Sequence, residues 1–135
     1  MSQVDEQRGT FTCLVADDSQ FARKNVAAIV AKLGGSIVGE AKNGIEALDL
    51  FTALSPDLVL LDITMPQLDG LGTLRAIIER NPNAKVVIIS SLGNKEMVWK
   101  AIGLGAKSFL TKPLNADYAA LVIGDVIRGE GGGPR

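Results

Sequence analysis

The sequence contains no histidine. That absence removes Ser-His-Asp triads and most zinc sites, both of which depend on imidazole. Cysteine occurs once, at Cys13, so no internal disulfide can form, which fits a reducing cytosol. Cys13 falls inside an expected strand and reads as a small buried core residue. Aromatic residues are only 4% of the chain, so the core must be built mainly from Val, Ile, Leu and Ala. No apolar run approaches the ~20 residues that span a bilayer. Residues 1–10 are polar and hold no apolar stretch, so no signal peptide is expected there. Charge of one sign is also missing. Fourteen basic and fifteen acidic residues leave a net −1 without a basic block, which argues against a dedicated nucleic-acid binder.

What is present is a chain of 135 residues, 47% hydrophobic, enough for one domain with its own core. The stretch from Leu58 to Gly70 organises it. Leu58 to Leu61 run apolar without alternation, as in a strand buried on both faces, and the run stops on Asp62. Pro66 and Gly70 then force a loop. A charge at the C-terminal end of a buried strand lies where open α/β sheets place their chemistry.

The same grammar repeats along the chain. Phe11 to Ala16 is an apolar run ending in Asp17-Asp18, and Ser19 can cap the helix that follows. Ala22, Val26, Ile29, Val30 and Leu33 recur at helical spacing until Gly34-Gly35, with Arg23, Lys24 and Lys32 on the other side. Ser36 to Ala41 is a short strand, and Asn43-Gly44 a turn. Ala47, Leu48, Phe51 and Leu54 form the next helical stripe, closed by Ser55-Pro56-Asp57. Leu71, Leu74, Ile77 and Ile78 mark a third helix, which Asn81-Pro82-Asn83 ends.

Val86 to Ile89 is a further strand, ending on Ser90-Ser91. Lys95 to Leu104 is a helix, and Ser108 to Thr111 a last strand ending at Lys112-Pro113. Asn115 to Arg128 is the final helix, with Tyr118, Leu121, Val122, Val126 and Ile127 as its core face. Residues 1–9 and the Gly-rich 129–135 are expected to be flexible ends of a domain spanning 10–128. Five strands alternating with five helices give an α/β fold, a parallel sheet covered on both faces.

In a parallel sheet all C-terminal strand ends share one edge. Asp17, Asp18, Asp62, Ser90 and Lys112 therefore converge, although they span nearly the whole domain. Two carboxylates about 4 Å apart repel by roughly 4 kcal/mol at an effective dielectric of 20. Three need a cation beyond the one that Lys112 supplies. Hard oxygen ligands with room for water suit Mg²⁺. A metal and a lysine facing one aspartate would also neutralise an incoming phosphoryl group, with Ser90 adding a hydroxyl donor. Taken singly, Asp17-Asp18 fits helix capping as well as chemistry, Ser90 fits a turn, and Lys112-Pro113 fits a surface loop. It is the ordered set that points to a site.

That ordered set resembles the receiver domain of two-component response regulators, over about residues 10–128. The matching motifs are Asp17-Asp18-Ser19, Leu61-Asp62-Ile63-Thr64-Met65-Pro66 with Asp69-Gly70, Ser90-Ser91, Gly105-Ala106-Lys107 and Phe109-Leu110-Thr111-Lys112-Pro113. The resemblance implies a flavodoxin-like (βα)5 fold with strand order 2-1-3-4-5. It implies that Asp62 accepts a phosphoryl group from a phosphohistidine on a partner kinase, necessarily in trans here. Asp18 is implied as a direct Mg²⁺ ligand and Asp17 as one through water, with Asp62 and the Thr64 backbone carbonyl completing the set. Lys112 would hold the phosphoryl oxygens and Ser90 would move inward to one of them, drawing Phe109 with it. Phe109 stands where tyrosine is common, so it offers no phenol hydroxyl. The implied protein is a cytoplasmic signalling module, and its catalysis is confined to its own phosphorylation and dephosphorylation.

Output is expected through protein contact, since no effector domain follows Arg128. Val98 and Ile102 share a helical face that leaves Trp99 turned aside, which fits packing on a neighbouring helix as well as an exposed anchor. Met97 and Trp99 are the expected partner surface. The runs around Asp62, Ser90 and Met97 look most like chemotaxis-type receivers, which act on the flagellar motor switch. A separate phosphatase is a further expected partner, and nothing demands more than a monomer. Beside a pseudo-receiver, a binding module that is never phosphorylated and against which the full set of Asp17, Asp18, Asp62, Ser90 and Lys112 argues, two rivals remain at this level. One is a phosphorelay intermediate that passes its phosphoryl group to a histidine phosphotransfer protein. The other is a haloacid-dehalogenase-type phosphatase, which usually carries its nucleophile on the first strand with a second aspartate two residues on, where this chain has Asp62 and Thr64.

Overall fold

A computed structural model describes residues 11–64, 70–91 and 95–129. The expected N-terminal segment 1–9, Met65, Pro66 and Asp69 of the central motif, Leu92 and Gly93, and residues 130–135 of the tail lie outside the described residues. Ten elements alternate: β1 (Phe11–Ala16), α1 (Gln20–Lys32), β2 (Gly35–Ala41), α2 (Gly44–Leu54), β3 (Leu58–Asp62), α3 (Gly70–Arg80), β4 (Val86–Ser90), α4 (Lys95–Gly103), β5 (Ser108–Thr111) and α5 (Ala116–Arg128). The strands pair in parallel in the order β2-β1-β3-β4-β5. This is the flavodoxin-like topology. The chain steps from β1 to one side for β2 and to the other for β3, so the crevice opens between the C-terminal ends of β1 and β3.

Strand pleating divides the core in two. Leu14, Val59, Leu61, Val86, Ile88 and Phe109 face α2, α3 and α4, where Ala47, Phe51, Leu74, Ile77 and Ala101 are buried. Their neighbours Cys13, Val15, Leu58, Leu60, Val87 and Ile89 point the other way, onto Val26, Ile29, Val30, Val122, Ile123 and Val126 of α1 and α5. β1, β3, β4 and β5 are thus covered on both faces, which explains the unbroken apolar runs of β3 and β4. Burial pushes the Cys13 thiol up to about 12, the behaviour of a core residue rather than a reactive one. β2 is an edge strand and reads as an alternation. Its register slips at Val38, the extra residue between the Cys13–Ile37 and Leu14–Gly39 pairs. Such a bulge also makes an exposed edge a poor template for a further strand.

Local chemistry sets the helix starts. Ser19, Asn43 and Asn115 each accept a hydrogen bond from the backbone N–H three residues on. Asn43-Gly44, expected as a turn, is therefore the start of α2. The Glu46 carboxylate reaches back to the Lys42 N–H, a variant of the capping box. α2 ends on Ser55 in the left-handed region, at φ 46°. Ser55→Gly should therefore raise stability by about 0.5–1 kcal/mol, measured by urea unfolding. No gain would mean that the serine side chain offsets its backbone strain.

The final helix departs from expectation. Tyr118 and Leu121 are 41% and 51% exposed, while Ala119, Val122, Ile123 and Val126 face the sheet. The true stripe follows i, i+3, i+4, i+7 from Ala119, which turns Tyr118 and Leu121 roughly 100° away. Leu54 is also exposed, and it lies over Gly39 of the edge strand. At the start of α3, Gly70 lies so close to Ile63 that a Cβ there would sit 1.9 Å from the Ile63 Cα. Glycine is a requirement of that approach.

Candidate functional site

Strand register brings the chemistry together. Ala16 pairs with Leu61, so Asp17 and Asp62 follow side by side where β1 and β3 end. Asp62 pairs with Ile89, the residue before Ser90, and Ser90 pairs with Thr111, the residue before Lys112. Asp17, Asp62 and Ser90 are buried, whereas Asp18 is exposed at the rim. One carboxylate oxygen from each of Asp17, Asp18 and Asp62 lies within 4.8 Å of the others.

Lys112 closes the cluster. Its ammonium lies 2.8 Å from Asp17 Oδ2 and 3.2 Å from Asp62 Oδ2. The Lys112–Pro113 peptide is cis. Burial alone would lower the lysine pKa, but the Asp17 hydrogen bond and the charges of Asp62 and Asp17 outweigh it, so the net shift is upward. Lys112 therefore stays charged at neutral pH. Three carboxylates against one ammonium still leave two uncompensated negative charges in a half-buried crevice.

Each aspartate is held differently. Asp17 is pinned on every polar atom. Its N–H donates to the Ala41 carbonyl at 2.9 Å, and its own carbonyl accepts from Arg23 Nη1 at 2.8 Å. Its Oδ1 accepts from the Ser19 N–H at 2.9 Å, and Oδ2 takes Lys112. Asp62 divides its oxygens. Oδ1 accepts from the Thr64 N–H at 2.9 Å and the Thr64 hydroxyl at 2.7 Å, while Oδ2 faces Lys112. Asp18 stands open to solvent. The donor set is thus entirely oxygen, with one exposed carboxylate and room for water, which fits a hard divalent cation such as Mg²⁺.

The expected switch and partner residues separate. Phe109 is buried in the core beside Ile88. Met97 is half-buried and packs with Val98 and Ile102 against that same core. Trp99 is 61% exposed, so of the two readings left open for it the free surface side chain is the observed one. Sequence reasoning missed Arg23 and Glu40. Arg23, placed on the outer side of α1, is only 11% exposed and bonds Glu40 Oε1 at 2.8 Å. The available signal was Glu40 itself, a charge one residue from the end of β2, on the edge where the other strands place polar groups.

Comparisons with known proteins agree with this geometry. The family model described as the response regulator receiver domain matches residues 13–122. The chemotaxis protein CheY of Treponema pallidum is 42% identical over 120 residues, covering 87% of this chain and 83% of that protein. CheY of Listeria monocytogenes is 44% identical over 104 residues, 77% of this chain and 87% of its own length. Among solved structures, a CheX–CheY–BeF3–Mg complex from Borrelia burgdorferi superposes with a TM-score of 0.84. It is 36% identical and covers 86% of this chain and 88% of that one. No described helix is long and apolar enough to cross a membrane. With five parallel strands in the order 2-1-3-4-5, an acidic cluster closed by a lysine, and CheY proteins among its homologues, this chain belongs to the response regulator receiver domain family.

Proposed function

We propose that this receiver accepts a phosphoryl group on Asp62 from a phosphohistidine of a partner kinase and signals by phosphorylation-dependent binding, with the flagellar motor switch as its target. The observation that carries the reading is Asp62 itself. It is a buried carboxylate with Lys112 on one oxygen and two further carboxylates within 4.8 Å. Asp17, Asp18, Asp62 and the Thr64 carbonyl are the residues that would hold Mg²⁺. When bound, Mg²⁺ supplies the positive charge that lets an anionic phosphoryl group approach an anionic acceptor.

The chain's own residues then have distinct tasks. An Asp62 oxygen attacks phosphorus, the P–N bond breaks, and the electron pair stays on the donor imidazole. Because these 135 residues hold no histidine, the donor imidazole lies outside them. Lys112 trades part of its contact with Asp17 and Asp62 for a phosphoryl oxygen. Asp17, pinned at four atoms, suits a ligand acting through water, and exposed Asp18 a direct one. The Ser90 hydroxyl is the proposed second donor to the phosphoryl group. Phe109 is already buried without phosphorylation, which supports a role in core packing rather than an outward-to-inward swing.

For output, Trp99 is the proposed anchor. Its helix is joined to the sheet through Met97 and Val98, so a shift at the end of β4 reaches the exposed indole through packed side chains. CheY homology and the CheX–CheY–BeF3–Mg relative support a partner that prefers the activated form. The test is binding to the host's motor-switch N-terminal segment with and without beryllofluoride and Mg²⁺, followed through Trp99 fluorescence in the wild type and by calorimetry in the variant that lacks it. Binding should tighten in the activated form and weaken at least tenfold in Trp99→Ala, as for a buried aromatic anchor. Equal binding in both forms would discard the motor-switch output.

A further inference from the structure

Behind the acidic cluster lies a second ion pair. The Arg23 guanidinium donates from Nη1 to the Asp17 carbonyl at 2.8 Å and from Nε to Glu40 Oε1 at 2.8 Å. It bridges α1, the turn after β1 and the end of β2, and the Asp17 N–H bond to the Ala41 carbonyl lies alongside. Only Arg23 is enclosed; Glu40 is 52% exposed. Its planar fork suits this double bond, which a lysine could not reproduce.

The arrangement poses an electrostatic conflict. The loop that carries Asp17 and Asp18 needs a rigid donor on its carbonyl, yet a guanidinium there sets a positive charge beside a site built to attract a cation. Glu40 resolves it. We infer that Arg23 is a positioning residue for Asp17 and Asp18, and that Glu40 is its charge partner, cancelling the guanidinium field so that the clamp does not repel a divalent cation. The inference rests on the proposed Mg²⁺-dependent function of the acidic cluster.

Calorimetric titration of Mg²⁺ into the metal-free protein tests it, at low and at high ionic strength. Glu40→Gln leaves the guanidinium uncompensated, so Mg²⁺ affinity should fall about threefold at low salt and recover in 0.5 M salt, as a screened surface charge does. The charge-neutral double variant Arg23→Met/Glu40→Gln removes the clamp but adds no charge. Its affinity should fall about tenfold, to the same extent at both salt concentrations. A purely structural role for the pair would not give the salt dependence of Glu40→Gln. Wild-type affinity in Glu40→Gln at low salt, or a loss that high salt does not relieve, would overturn the role of Glu40. Wild-type affinity in the double variant would overturn the role of Arg23, and should the double variant not fold, Arg23→Lys serves instead. Should the wild-type protein itself bind no Mg²⁺, the proposed function falls first, an outcome distinct from these.

Discussion

Incubated with Mg²⁺ and a small phosphodonor such as acetyl phosphate, the wild-type protein should gain the mass of one phosphoryl group and Asp62→Asn should gain nothing. An amide oxygen is too weak a nucleophile to replace the carboxylate, and among the described residues no other carboxylate is both buried at the end of β3 and faced by Lys112. The same substitution should act oppositely on stability. Asp62 is repelled by two carboxylates within 4.8 Å and attracted by one ammonium at 3.2 Å. At an effective dielectric of 20 the two repulsions total about 7 kcal/mol and the attraction about 5, so Asp62 is a net liability without metal. In EDTA, Asp62→Asn should therefore unfold at higher urea, by about 1–2 kcal/mol. Excess Mg²⁺ should reverse the order, because ligand binding stabilises only the wild-type site. Uptake of label by Asp62→Asn would remove Asp62 as the acceptor. Lower stability in EDTA would mean that the Lys112 and Thr64 bonds outweigh the repulsion.

Lys112→Met should have the opposite signature. It leaves three close carboxylates without their cation, and loss of a partly buried charge partner costs about 2–3 kcal/mol. Metal-free stability should drop by that amount at pH 7, while Mg²⁺ binds more tightly because a competing positive charge is gone. The pH dependence carries a definite sign. The Lys112 pKa is raised above its ordinary 10.5 in the folded protein. Its contribution is thus fully present below pH 10.5 and fades as pH rises through the folded value. The stability gap between wild type and Lys112→Met should be constant through the neutral range and close only in strong alkali. A gap that narrows between pH 6 and 9 would show that another group, not Lys112, governs the site.

The contrast between these two variants also explains why the resting protein holds such a cluster at all. Lys112 contacts both buried aspartates, so the metal-free site is a compromise rather than a satisfied salt bridge. Residual negative charge is what makes it receptive to a cation. A fully neutralised site would be more stable and less useful.

The sequence by itself determined the alternation of strands and helices. Strands buried on both faces, as β3 and β4 are, read as unbroken apolar runs, and each run here stops at a polar or charged residue. It also determined which residues share one edge, because parallel strands put all their C-terminal ends there. Asp17, Asp18, Asp62, Ser90 and Lys112 follow from that rule without any distance. Capping was legible at Ser19, which acts on a backbone group three residues away.

Tertiary structure decided what depends on register and on facing elements. The exposure of Tyr118 and Leu121 was fixed by how α5 rotates to seat Ala119, Val122 and Ile123 on the sheet. The sequence stripe alone leaves that angle open by one residue. The bulge at Val38 depends on how β2 registers against β1. The division of Asp62 between Thr64 and Lys112 depends on a contact 50 residues apart, and the clamp from Glu40 through Arg23 to Asp17 on contacts across three elements. Periodicity reports which face of an element is apolar. It carries no information about which polar atom lies 2.8 Å away on a different strand.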